Sequence, residues 1–257
     1  MKETTITVIE KVKLKNPVLI EGLPGQGMVG KIAVDYLIKH LEAQKMAELY
    51  SPHYAYYVLV NKSGAVRLLR SEFYYWKNQE DGNDIILLTG DTQPQTIEGQ
   101  YEVADAILRF AEQNSTKLIL TIGGYRTESK EEPQVYISAT NLELLKRASE
   151  IGIKTSPPGS PIVGTAGLLV GLAKLRNIDA ACLLAETPGY LPDPKAAKSV
   201  VKVVSKMLEF NVDLTELDNE IAKSEQIEER MRKIEEQRRG SEKIRRKVEE
   251  EKVSYIS

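Results

Sequence analysis

The 257-residue sequence contains one cysteine, Cys182. A disulfide within the chain is therefore excluded, and so is a zinc centre built from the cysteines of one chain. Histidine is almost as scarce, with only His40 and His53. That leaves little material for a histidine metal site or a two-histidine mechanism. No window reaches the roughly 18 unbroken apolar residues of a membrane span. The opening residues Met1-Lys2-Glu3-Thr4-Thr5 lack the apolar stretch of a secretory signal. Net charge is only -2, which gives no electrostatic case for nucleic acid or membrane as the main partner. The expectation is a soluble protein of a reducing cytoplasm, without cofactor or metal.

Apolar residues, by contrast, make up 42% of the chain and can fill a sizeable core. Short continuous apolar runs recur at Pro17–Ile20, Asp84–Thr89, Lys117–Ile122 and Ala180–Ala185. Strands this apolar are buried on both faces. Helical spacing separates them at Val29–Leu41, Thr96–Glu112, Leu142–Ile151, Gly164–Leu175 and Lys195–Phe210. The alternation predicts an α/β fold with a mixed, largely parallel sheet and helices on both faces. Thr5–Ile9 reads as a half-buried strand, and Val135–Ala139 as a further strand. Tyr54–Val60 and Ala65–Leu69, joined through Asn61-Lys62-Ser63-Gly64, read as a hairpin. Four loops, Gly22–Gly27, Gly90–Pro94, Gly123–Arg126 and Glu186–Tyr190, then share the carboxyl edge of the sheet, where α/β folds usually bind ligands.

The first of these loops holds Gly25-Gln26-Gly27-Met28-Val29-Gly30, which fits G-x-G-x-x-G. A dinucleotide site needs that motif in a tight strand-to-helix turn and an acid ending the second strand. Here Glu21-Gly22-Leu23-Pro24 lengthens the loop, and Glu48 precedes the next expected strand. Lys31 is followed by Ile32, so there is no P-loop. Gly22, Gly25, Gly27 and Gly30 are therefore read as structural glycines, which give the backbone unusual angles and let helix and sheet approach closely. No G-x-S-x-G elbow exists, and Cys182 sits inside an apolar strand. The catalytic alternative is a phosphorylase-like or nucleotide-binding enzyme using Gly25, Asp91 and Glu186 at the strand-end edge.

Tyr54, Tyr56, Tyr57, Phe73, Tyr74, Tyr75 and Trp76 concentrate the bulky aromatics in one section. Alternation along strands prevents all of them from being buried, so cross-strand packing and a protein contact are both open. After Asp213 the composition changes. Between Glu216 and Lys252, 23 of 37 residues are charged. Leu217, Ile221, Ile227, Met231 and Ile234 keep steps of three, four and six, the narrow seam of a long helix. The expected division is a core domain, 1–212, and a helical extension, 213–257. The extension ends in an apolar, aromatic tip, Val253-Ser254-Tyr255-Ile256-Ser257.

Taken together, Gly22-Leu23-Pro24-Gly25-Gln26-Gly27-Met28-Val29-Gly30, Thr89-Gly90-Asp91, Thr121-Ile122-Gly123-Gly124 and Glu186-Thr187-Pro188-Gly189-Tyr190 resemble the archaeal branch of the proteasome assembly chaperone family. The resemblance spans roughly residues 15 to 210. It implies a nucleoside-phosphorylase-like fold without catalytic apparatus, and a homo-oligomer that binds the α subunits of the proteasome 20S core particle without ATP. Tetramer is favoured over pentamer. Such proteins commonly end in hydrophobic-Tyr-any residue, and this C-terminal peptide docks between α subunits. Here Tyr255 stands third from the end, one residue out of that register. Val253, Ser254, Tyr255, Ile256 and Ser257 are the expected docking residues.

Overall fold

The apolar runs become the centre of one nine-stranded sheet. The computed structural model describes residues 1–80, 82–128, 132–227, 229–231 and 234. In chain order the elements are β1 (Thr5–Val8), β2 (Val18–Glu21), α1 (Val29–His40), β3 (Gln44–Tyr50), β4 (Val58–Val60), β5 (Val66–Leu68), β6 (Ser71–Trp76) and β7 (Ile85–Gly90). Then follow α2 (Ile97–Gln113), β8 (Leu118–Arg126), β9 (Val135–Ala139), α3 (Leu142–Glu150), β10 (Lys154–Thr155), α4 (Thr165–Leu175), β11 (Asp179–Thr187) and α5 (Pro194–Leu208). The sheet order is β1-β3-β6-β7-β2-β8-β11-β9-β10, and β4 and β5 form a separate two-stranded ribbon.

The four central strands β7, β2, β8 and β11 are parallel. Antiparallel strands flank them: β6, β3 and β1 on one side, β9 on the other. Side chains alternate between two apolar layers. Val18, Ile20, Ile85, Leu87, Leu120 and Leu183 face α1, α3 and α5. Leu19, Ile86, Leu88 and Ile119 face α2 and α4. This two-sided burial is why these strands carry apolar residues at consecutive positions.

The helices start where side-chain caps are available. Thr96 Oγ1 accepts from the Gly99 amide at 3.0 Å and Asn141 Oδ1 from Leu144 at 3.0 Å. Asp193 Oδ1 accepts from Ala196 at 2.9 Å, with Pro194 in the first turn of α5.

Three local expectations differ from the structure. Tyr54–Tyr57 is not strand: the chain turns there, and only Val58–Val60 pairs in the hairpin. Gln44–Tyr50, which carries Glu48, is itself a strand, antiparallel to both β1 and β6. Its outer position tolerates the charged and polar residues that hid it. The expected loops at Gly123–Arg126 and Glu186–Tyr190 begin as strand. β8 and β11 stay paired to Arg126 and Thr187, with Gly123 opposite Leu184 and Gly124 opposite Ala185.

The chain divides into two units, Met1–Leu217 and Asp218–Ser257. Within the first, Leu214 and Leu217 pack into the α1/α5 layer, and Leu217 is fully buried. Tyr36 donates from its hydroxyl to the Asp213 carbonyl, and Lys39 pairs with Glu216. Residues 215–227 are helical. In the second unit Ile221 is half-buried, while Ile227, Met231 and Ile234 are exposed.

Candidate functional site

The strand-end edge is the place to look for a ligand, because β7, β2, β8 and β11 all deliver their carboxyl ends there. Its centre is the loop from Gly22 to Gly30. Gln26–Met28 forms a single 3-10 turn, with Gly27 at φ 59° and Met28 at φ 52°, both in the left-handed region. Gly27 carries this angle without steric cost. It also has no room for a side chain: a Cβ there would lie 2.5 Å from Thr187 Oγ1. Gly22 and Gly30 meet backbone to backbone. A Cβ on Gly22 would lie 2.1 Å from the Gly30 carbonyl oxygen, and one on Gly30 would lie 2.4 Å from that of Ile122. Helix α1 thereby rests directly on β2 and β8. Gly25 differs: its backbone is extended, and a Cβ there would meet no atom closer than 3.7 Å.

Several of the loop's polar groups bond within the protein. The Gly27 amide donates to the Gly189 carbonyl at 3.4 Å, and the Asp193 amide donates to the Gly27 carbonyl at 2.8 Å. Gln93 ties three segments together: Nε2 donates to the Pro24 carbonyl at 2.7 Å, and Oε1 accepts from the Thr165 amide at 3.0 Å and its hydroxyl at 3.1 Å. Thr187 Oγ1 donates to Asp193 Oδ2 at 2.8 Å. The Gly27 amide, which a pyrophosphate would use, is taken by Gly189, and the Met28 amide by the Gly25 carbonyl at 3.0 Å.

The two acids of the catalytic alternative are also engaged. Arg67 donates to Asp91 from Nη1 and Nη2 at 2.5 and 2.8 Å, and the Arg70 amide donates to it at 3.0 Å. Partial burial alone would raise the Asp91 carboxyl, but Arg67 and the Arg70 amide outweigh it and hold the group below the usual range. Glu186 accepts from the Tyr136 hydroxyl at 3.1 Å and from the Gln134 amide at 3.2 Å. Asp91 follows β7 and Glu186 lies in β11, three strand positions apart. That separation, roughly 14 Å at ~4.8 Å per strand, is too wide for the two to act on one bond.

A third acid escaped sequence reasoning. Glu21 closes β2 and is 1% exposed. One carboxyl oxygen accepts from the Leu23 amide at 3.2 Å, and the other has no partner. Burial pushes its pKa up to about 8, with the Leu23 amide opposing. Glu21 lies opposite Thr121, which lies opposite Cys182, so a short polar row crosses the centre of the sheet. The Thr121 hydroxyl donates to the Ala166 carbonyl at 3.1 Å. Burial pushes the Cys182 thiol up to about 12, far from a nucleophile's range. The available signal was an acid ending an otherwise apolar strand.

The aromatic section splits. Tyr54, Phe73 and Tyr75 are buried, with Phe73 against Phe110 at 4.3 Å between centroids. The Tyr54 hydroxyl lies 2.7 Å from Ser71 Oγ. Tyr74 and Trp76 are half-buried, and Tyr56 and Tyr57 are exposed. The proposed docking residues Val253, Ser254, Tyr255, Ile256 and Ser257 lie outside the described residues. Among the described residues no helix is long and apolar enough to cross a membrane, and no group of three or more His, Cys, Asp or Glu is placed to hold a metal.

Known proteins share this architecture. The structure is similar to that of PbaB from Pyrococcus furiosus, an archaeal proteasome activator, with TM-score 0.87 and 42% identity, covering 90% of this chain and 100% of that one. It is also similar to Pyrococcus furiosus PbaA, an archaeal homologue of proteasome-assembly chaperone, with TM-score 0.75 and 29% identity over 97% and 98% of the two chains. An uncharacterised protein of Methanocaldococcus jannaschii is 35% identical over 225 residues, 87% of this chain and 86% of that protein. The PAC2 family model matches residues 19–235, so the glycine loop, the four-stranded parallel centre and the start of the charged helix all fall within one match, and the chain belongs to the PAC2 family.

Proposed function

We propose that this protein is a non-enzymatic, cytoplasmic homo-oligomer that binds the proteasome 20S core particle, and that it assists assembly or opens the gate without ATP. The observation that carries this reading is the likeness to PbaB, an archaeal proteasome activator, at 42% identity over 90% of the chain. PbaA, a homologue of an assembly chaperone, supports the same partner. The strand-end edge supports it differently: its glycine loop packs against Thr187 and Ile122, and Asp91 and Glu186 are paired within the protein.

The extension does the binding in this proposal. Leu217, buried in the α1/α5 layer, anchors the start of the extension, and Ile221, Ile227, Met231 and Ile234 position the tails or join copies, with a tetramer favoured over a pentamer. Val253 to Ser257 then enters pockets on the α subunits, with the terminal carboxylate captured. Several tails on one oligomer act together, so each contact can be weak.

Deletion of Val253 to Ser257 is expected to abolish capture of purified 20S core particle while leaving oligomer mass unchanged. Capture equal to that of the full chain would defeat the proposal. A thermal-shift screen with nucleosides, phosphate, ATP and NAD is expected to show no saturable shift. A shift lost on Asp91→Asn would favour an enzyme at the Gly25, Asp91 and Glu186 edge instead.

A further inference from the structure

Residues 213–217 close the first unit, and side chains from the last turns of α1 hold them there. His40 Nε2 accepts from the Asp213 amide at 3.3 Å. The Tyr36 hydroxyl donates to the carbonyl of the same residue, and Lys39 pairs with Glu216. Both backbone polar groups of Asp213 are thus bound by one helix. Tyr36 and His40 stand four positions apart, on one face of α1. Their rings stack, with centroids 5.8 Å apart and planes inclined by 12°. Asp213 Oδ1 in turn accepts from the Thr215 amide at 2.9 Å and its hydroxyl at 2.6 Å, a turn that leads into the helical run 215–227.

One of these bonds depends on a proton. A backbone N–H can only donate, so Nε2 must offer its lone pair, and the ring carries its hydrogen on Nδ1. A second proton, on Nε2, would set two N–H groups head to head. Imidazole is the side chain that makes this change between pH 5 and 8. The titratable groups around the ring are Tyr36 and Lys39 on α1, and Asp213 and Glu216 beyond it. Lys39 is taken by Glu216. The Thr215 hydroxyl and amide hold the Asp213 carboxyl below the usual range, so it stays charged. A charged ring would turn toward that carboxylate and away from the amide, pulling on the turn that leads into the helix. We propose that His40 is a proton-sensitive latch on residues 213–217: neutral, it holds Asp213 to α1; protonated, it loosens the stretch, leaving Tyr36 and the buried Leu217 as attachments. The latch needs neither a second copy nor a core particle, so its failure would leave the proposed function standing.

The test is hydrogen exchange by mass spectrometry on the full chain at pH 8 and pH 5, with rates corrected for the chemical pH dependence of exchange. Amides of residues 212–217 are read, and peptides of β8 report global opening. At pH 5 the wild-type stretch is expected to lose protection by about fivefold or more, the size of one net hydrogen bond, with no loss in β8. His40→Gln keeps an acceptor that takes no proton in this range, and is expected to give equal protection at both pH values. Tyr36→Phe removes the donor to the Asp213 carbonyl, and is expected to lower protection at both pH values while keeping the step between them. Equal wild-type protection at pH 8 and pH 5 would overturn the inference. So would protection that rises at pH 5, which would mean that the charged ring grips the Asp213 carboxylate better than the neutral ring grips the amide. A pH step that survives in folded His40→Gln would overturn it too. The wild-type comparison decides by itself should a variant fail to fold.

Discussion

At the scale of single residues, the strand-end edge is governed by contacts that exclude rather than receive. Gly30 and Gly25 make the contrast measurable. A Cβ on Gly30 meets the Ile122 carbonyl oxygen at 2.4 Å, backbone against backbone, and neither side can yield cheaply. Gly30→Ala is expected to cost at least about 2 kcal/mol in denaturant unfolding. Gly25→Ala meets nothing closer than 3.7 Å and has no left-handed angle to satisfy, so it is expected to stay within about 0.5 kcal/mol of wild type. A cofactor loop would instead make both glycines sensitive in a binding assay, because the ligand would approach both. Glu21 gives a second residue-scale prediction. Its carboxyl titrates near 4.5 when unfolded and at about 8 when folded. Between those values the folded state holds a proton that the unfolded state has lost. Stability from this group is therefore complete below about pH 4.5, falls as pH rises and is gone above about pH 8. Glu21→Gln is expected to melt above wild type at pH 9, with the gap closing toward pH 5. Parallel melting curves across that range would contradict the assignment.

At the scale of elements, most of the sheet was readable because burial on both faces leaves a strong signature. Val18–Ile20 and Ile85–Leu88 are continuous apolar runs for that reason, and α1 and α2 show helical spacing because each buries one stripe. β3 was not readable. Its residues Gln44-Lys45-Met46-Ala47-Glu48-Leu49-Tyr50 serve a half-polar face, where Lys45, Glu48, Glu72 and Arg70 form ion pairs, including Arg70 to Glu48 at 3.0 Å. A strand whose outer face is salted with charges looks like a loop in one dimension. Tyr54–Tyr57 erred in the other direction. Its β-favouring residues sit in a turn, and Tyr54 is buried by reaching Ser71 instead of by pairing. The site was less legible than the fold, since Gln93, Thr187 and Asp193 act through contacts between loops distant in sequence. Thr96 offers an element-scale check. Its hydroxyl caps α2 and also lies 2.9 Å from His53 Nδ1. Thr96→Ala is expected to destabilise by about 1 kcal/mol, read from the denaturation midpoint at constant slope.

At the scale of the whole molecule, the large apolar side chains exposed among the described residues include Val58, Val60, Val66 and Leu68 of the β4/β5 hairpin and, in the second unit, Ile227, Met231 and Ile234. Each group is too narrow to fold anything alone; in the homo-oligomer proposed above, the stripe of the extension serves as a contact between copies. Under that proposal, Ile227→Asp with Ile234→Asp is expected to raise the concentration at which copies separate, read by light scattering across a dilution series at unchanged circular dichroism.

Cys182 carries a practical consequence. Fully buried, with a thiol that stays protonated at ordinary pH, it is silent toward maleimide dyes in the folded protein. The native chain is thus already a blank background for site-directed fluorescence. A single Lys252→Cys substitution beside the tail would take one dye per chain, and the anisotropy of that dye would follow the core-particle binding proposed above in real time without removing any natural residue from the core.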